Sequence, residues 1–179
     1  IYARYSDDII LFAQDRASLD RHIAALNAFL QKYRLQPNHE KEHIYAPGEA
    51  FDFLGYKCSG SQIGLADATV LKMKGKISRK SRAICRWPSI NGKTPEDAMR
   101  LLISFFNRKF FESDDPDQLN WTCWFFPVIN DVSGLRVIDR HFQSSIRYVA
   151  TGKRNGGNYR VGTKIFVRMD IEVSLVNTF

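Results

Sequence analysis

An α+β fold is predicted from three observations: apolar and aromatic alternation confined to the early part of the chain, turn residues set between those runs, and a change to a period of about 3.6 beyond Asp67. Residues 1–66 read as an antiparallel sheet with a packed helix, and residues 67–179 as a separate helical region.

The elements follow in order. Ile1 to Tyr5 and Ile9 to Phe12 are rich in β-branched and aromatic residues, and Ser6-Asp7-Asp8 between them is turn chemistry, so the pair reads as a hairpin. Leu19, Ile23, Leu26, Leu30 and Tyr33 recur at alternating steps of four and three, on one face of a helix capped at Ser18, with Phe29 widening the stripe. That helix is expected against the back of the sheet, and Pro37 with Asn38 ends the run. His43 to Ala46 and Phe51 to Cys58 read as strands joined by a Pro47-Gly48 turn, and Gln62 to Leu65 as a third strand returning through Ser59-Gly60.

Helices are predicted over Thr69 to Arg86, Thr94 to Phe111 and Ser133 to Ala150. The second has Thr94 as N-cap, Pro95 in the first helical position and Asp97 in capping-box register. The third carries Leu135, Ile138, Phe142, Ile146 and Val149 on one face and meets Gly152 at its end. Ser113 to Asp117 is an acidic cluster with no strand after it, and reads as a solvated loop.

At 179 residues, 44% hydrophobic and 13% aromatic, the chain can bury a core, which argues against disorder. A formal charge of +7 suggests an anionic partner, nucleic acid first, while the charge alone fits an acidic membrane or mere solubility equally. Cys58, Cys85 and Cys123 have no paired metal spacing, and their odd count suits a reducing, cytoplasmic setting. His39 and His43 lack the cysteine pair of a zinc site, and the aromatic stretch Leu119 to Asn130, broken by Pro127, is too short to span a bilayer.

Two adjacent carboxylates on a turn fixed by strands can hold a hard cation such as Mg²⁺ through oxygen, the pattern of a metal-dependent nucleotidyltransferase; a solvated acidic turn fits the same residues. Tyr5-Ser6-Asp7-Asp8 in its apolar setting resembles the Tyr-x-Asp-Asp motif of reverse transcriptases. Leu35-Gln36-Pro37-Asn38-His39-Glu40-Lys41 is similar to the family segment with an asparagine and a lysine, and Phe51-Asp52-Phe53-Leu54-Gly55-Tyr56 is similar to the Phe-Leu-Gly-Tyr primer grip of bacterial and group II intron-like enzymes. Ile146 to Lys153 and Asn158-Tyr159 have the look of a helical thumb.

The resemblance implies the C-terminal part of a polymerase palm over residues 1–66, followed by an all-α thumb-like region, with fingers and a first catalytic aspartate expected upstream. It implies an enzyme that extends a DNA or RNA primer with deoxynucleotides on an RNA template, using Mg²⁺ with Mn²⁺ as an alternative. Asp7 is then the main metal ligand and Asp8 its neighbour. Tyr5 lies near the primer end, Ser6 faces the new base pair, and Lys41 supplies a proton or positive charge to the leaving pyrophosphate. Lys41 between Glu40 and Glu42 also fits a plain surface lysine, and Gly55 fits either close approach of a primer or a bulge in a core strand. A bacterial stand-alone enzyme of antiphage-defence, abortive-infection or retron type is favoured over an intron maturase. An untemplated or protein-primed polymerase and an inactive nucleic-acid-binding scaffold are the alternatives.

The first helix beyond Asp67 concentrates basic residues with no acid from Lys72 to Arg86. At about 100° per residue, Val70, Met73, Ile77 and Ile84 share one arc, while Lys72, Lys76, Arg79 and Arg86 lie opposite. Such a face suits a phosphate backbone, or is a solvated basic surface. Lys153, Arg154, Arg160, Lys164 and Arg168, around Gly156-Gly157, would extend a basic groove, whereas Trp121, Trp124, Phe125 and Phe126 read as core packing.

Overall fold

The five described strands all precede Asp67, with one α-helix among them, and the other α-helices follow in a computed structural model that describes residues 1–112, 120–154, 161–162 and 175–179. The order is β1 (Tyr2–Tyr5), β2 (Asp8–Leu11), α1 (Arg16–Lys32), a 3₁₀ turn (His39–Lys41), β3 (Phe51–Phe53), β4 (Tyr56–Ser59), β5 (Gln62–Leu65), α2 (Asp67–Asn91), α3 (Pro95–Phe111), α4 (Trp121–Phe125), α5 (Ser133–Thr151) and α6 (Leu175–Thr178). Ser113 to Asp117, Gly156-Gly157, Asn158-Tyr159, Arg160, Lys164 and Arg168 lie outside the described residues.

Two antiparallel sheets form, β1-β2 and β3-β4-β5. Two expectations fail here. His43 to Ala46 is irregular and exposed rather than a strand: the Ala46 N–H donates to the Glu49 carboxylate at 2.8 Å, across the expected Pro47-Gly48 turn. The run from Phe51 to Cys58 is not one strand but two, reversed at Leu54-Gly55, with Phe53 paired to Tyr56. α1 also begins earlier than expected, because Asp15 rather than Ser18 is its cap: the Asp15 carboxylate accepts from the Ser18 N–H at 2.7 Å and its hydroxyl at 2.8 Å. These bonds hold the Asp15 carboxyl below its ordinary range. The stripe Leu19, Ile23, Leu26 and Leu30 is only half-buried, and Phe29 and Tyr33 are exposed.

The core sits among α2, α3 and α5. From α2 it takes Val70, Met73, Ile77 and Ile84; from α5 it takes Leu135, Ile138, Phe142, Ile146 and Val149, the two predicted seams. Phe106 and Phe110 of α3 complete it, with the Phe106 ring 5.1 Å from that of Phe142. α3 has the expected capping box, in which Thr94 Oγ1 accepts from the Asp97 N–H at 3.1 Å and Asp97 accepts from the Thr94 N–H at 3.0 Å. Gly152 ends α5 in the left-handed region at φ 69°. α2 outruns its predicted span at both ends, carrying Pro88 in its last turns before Gly92 stops it at φ 60°.

The three-stranded sheet joins this core. Leu65 of β5 is buried in it, and the outer edge of β5 is capped by the loop before α5: Ile63 N–H donates to Asn130 Oδ1 at 2.7 Å, and Ile63 C=O accepts from the Asn130 and Asp131 N–H groups. At the far end, the buried Asp139 carboxylate accepts from the Leu175 and Val176 N–H groups at 3.0 and 3.2 Å, tying α6 to α5. No helix among the described residues is long and apolar enough to cross a membrane.

His141 of α5 shares a 2.8 Å hydrogen bond with Ser78 of α2. Burial, then the nearby charge of Lys74, holds its imidazole below the ordinary 6.5; Arg154 acts the same way, and a hydrogen bond with the Lys74 backbone opposes them. Since the unfolded chain takes up this proton more readily, the contribution to stability is complete above about pH 6.5 and is lost as pH falls below it. His141→Gln should therefore flatten the fall in melting temperature between about pH 7 and pH 5; parallel wild-type and variant profiles over that window would rule out this linkage.

Candidate active site

The carboxylate turn is built by short-range constraints. β1 and β2 pair from Tyr2 with Leu11 to Tyr5 with Asp8, leaving Ser6 and Asp7 as a two-residue loop. Ser6 has φ 53° while Asp7 is not in the left-handed region, as a hairpin turn with positive φ at its first loop position requires. Glycine is usual there, so a serine stores strain on the order of 1 kcal/mol. The Arg4 guanidinium braces the turn by donating to the Ser6 carbonyl at 2.7 Å. Asp7 and Asp8 are both exposed, Asp8 directly across from Tyr5.

The second hairpin, β3-β4, carries Phe53, Leu54, Gly55 and Tyr56, all half-buried. Leu54 at φ 51° and Gly55 at φ 86° give its loop two left-handed residues, the turn normally written Asn-Gly. The bare face of Gly55 is already taken: an added Cβ would lie 2.9 Å from Thr69 Oγ1 and 3.4 Å from the Phe125 ring. Gly55 thus sits in a turn rather than in a bulge, and the space left by its missing side chain is filled by α2 and α4 rather than left open to a primer. The Gly55 carbonyl accepts from both the Ala66 N–H and the Thr69 hydroxyl at 2.9 Å.

α4 connects the two hairpins. The Tyr56 hydroxyl donates to the Trp124 carbonyl, and the Tyr5 ring lies edge-on to the Trp124 ring at 5.6 Å. Burial pushes the Tyr56 phenol up, so it remains a donor through the neutral range. Phe125, buried beside Trp124, meets the Tyr56 ring at 5.1 Å. Of the aromatic cluster expected as core, Phe125 is buried while Trp121, Trp124 and Phe126 pack half-buried against it, and Trp124 also touches both motifs, a role without a local signal in the sequence. Lys41 is exposed on the 3₁₀ turn, where the Asn38 side chain accepts from the Glu40 N–H at 3.1 Å.

Residues 1–58 match the family model of reverse transcriptase, the RNA-dependent DNA polymerase. The matched stretch takes in both hairpins up to Cys58 of β4, and supports a reverse transcriptase domain in this part of the chain. Neither curated proteins nor solved structures gave a match. Enzymes of this family generally use divalent metals. Among the described residues no three His, Cys, Asp or Glu side chains gather into a metal site. The donor set of Asp7 and Asp8 nevertheless fits Mg²⁺, which is commonly held by one or two carboxylates with water and phosphate oxygens completing the shell.

On α2, Lys72, Lys76, Arg79 and Arg86 are exposed, and none pairs with a carboxylate among the described residues. Lys80 differs, lying over the Phe105 ring at 4.0 Å.

Gly55→Ala should cost about 2 kcal/mol or more, from a left-handed alanine plus the clash with Thr69. Gly60→Ala supplies the comparison, for Gly60 has φ 58° but nothing within 4 Å of an added Cβ. It should cost only about 1 kcal/mol. Equal losses for the two variants in chemical denaturation would show that Gly55 is not packed as described.

Proposed function

We propose that this chain is the distal palm, residues 1–66, and the thumb, residues 67–179, of a reverse transcriptase that extends a primer with deoxynucleotides on an RNA template. The observation that carries this reading is the pair of exposed carboxylates, Asp7 in a strained two-residue turn and Asp8 at the strand start directly after it, inside the segment that matches the reverse transcriptase family. Asp7 and Asp8 would hold Mg²⁺, or Mn²⁺ in its place, together with a carboxylate from another strand of the palm. The bound ion supplies charge neutralisation at the attacking and leaving oxygens. Tyr5 and Ser6 would meet the primer end and the new base pair, and the Phe53 to Tyr56 hairpin would guide the primer strand. From its exposed turn, Lys41 would bring positive charge or a proton to the departing pyrophosphate.

The exposed basic face of α2 would follow the phosphates of an A-form duplex, where shape and backbone dominate recognition. The free thiols of Cys58, Cys85 and Cys123 accord with a reducing, cytoplasmic setting. Within the family, the stand-alone bacterial type associated with antiphage defence or retrons remains the preferred reading.

In the complete protein, Asp7→Asn with Asp8→Asn should lower Mg²⁺-dependent primer extension by at least about a hundredfold while leaving duplex affinity nearly unchanged. Near-normal extension by this variant would overturn the assignment, and sequencing products made with and without RNA separates templated from untemplated synthesis. Replacing Lys72, Lys76, Arg79 and Arg86 with alanine should flatten the slope of log affinity against log salt by up to about 3 units. The apolar seam is untouched, so the melting temperature should hardly move; an unchanged slope in the folded variant would make this face a solvated surface only.

A further inference from the structure

Few contacts fix the carboxylate turn in space. No described side chain from residue 1 to residue 63 is buried, and β1-β2 shares no ladder with the three-stranded sheet. A lone hairpin is marginal in water, so its attachment matters. Two ring contacts contribute to that attachment beside the half-buried Ile9, Ile10 and Leu11: Phe12 lies 6.1 Å from Phe51 at the open end, and Tyr5 lies 5.6 Å from Trp124 beside the carboxylates. Because Tyr5 is paired with Asp8, displacing Tyr5 carries the carboxylate with it.

We propose that Trp124 is a positioning residue for nucleotide transfer, seating Tyr5 so that the Asp7-Asp8 turn keeps a fixed placement relative to the Phe53 to Tyr56 hairpin. The proposal rests on the polymerase reading above. Trp124 suits the task because α4 is itself anchored. Asn120 Oδ1 accepts from the Cys123 N–H at 2.8 Å, Asn120 Nδ2 donates to the Phe111 carbonyl at 3.0 Å, and the Thr122 hydroxyl donates to the Phe110 carbonyl at 2.8 Å. With Tyr56 bonded to the backbone of the same residue, both motifs refer to one point on the helical core. Without the Trp124 ring, the hairpin would pivot about its Phe12 and Phe51 end, and metal ligands tolerate only about 0.5 Å of misplacement.

The test is a double-mutant cycle in primer extension by the complete protein, with kcat and the KM for deoxynucleotide measured for wild type, Tyr5→Ala, Trp124→Ala and the pair. Trp124→Ala should lower kcat by between about tenfold and a hundredfold at unchanged duplex affinity. The double variant should lie within about twofold of the worse single, since the two share one contact. Trp124→Phe should restore most of the rate, because it keeps a ring edge and the backbone carbonyl. If melting shows Trp124→Ala to be unfolded, Trp124→Leu keeps apolar bulk without the ring and takes its place. A folded variant within about twofold of wild-type kcat, or losses that multiply in the pair, would overturn the proposal. Asp7→Asn separates the two readings: wild-type extension that survives it overturns the polymerase assignment, whereas Asp7-dependent extension with an additive cycle overturns the role of Trp124 alone.

Discussion

The turn at Leu54-Gly55 is wedged between the first turn of α2 and the ring of Phe125, and both halves of the chain take their relative placement from that fit. The Gly55 carbonyl receives the Ala66 N–H and the Thr69 hydroxyl, so β4 leaves the turn with its direction set against the start of α2. One strand later the chain returns through β5, buries Leu65 in the helical core and enters α2. The basic face of α2, the second hairpin and, through Trp124, the carboxylate turn are therefore referred to a single joint made of a glycine, a hydroxyl and an aromatic ring.

What could be read from the sequence is what local chemistry decides. The capping box at Thr94, the left-handed stop at Gly152 and the apolar seams of α2 and α5 depend on residues within a few positions of one another. The failures lie where a distant partner or an unusual turn residue decides. His43 to Ala46 alternates like a strand but gains no ladder, and alternation without a partner does not make a sheet. Phe51 to Cys58 reads as one strand because leucine at a positive-φ position hides the turn within it. α4 is too short to show a helical period, and its cap at Asn120 is the one local sign of it.

The candidate site divides in the same way. Tyr5, Ser6, Asp7 and Asp8 are contiguous, and the spacing of Lys72, Lys76, Arg79 and Arg86 follows from helical geometry, so both groupings are visible in the sequence. Tyr5 and Trp124 are brought together only by the fold, and an aromatic residue beside a proline looks like ordinary core until its neighbours are known.

Asp139 gives the end of the described chain a particular character. A nearly buried carboxylate receives the first N–H groups of α6 on its two oxygens, so that short helix is held through two bonds to one side chain. Breaking one of these bonds while the other holds would forfeit a charge-assisted hydrogen bond without yet freeing the helix. The tail is thus held by a latch, with detachment of Leu175 and its neighbours from α5 happening as one event rather than as gradual fraying.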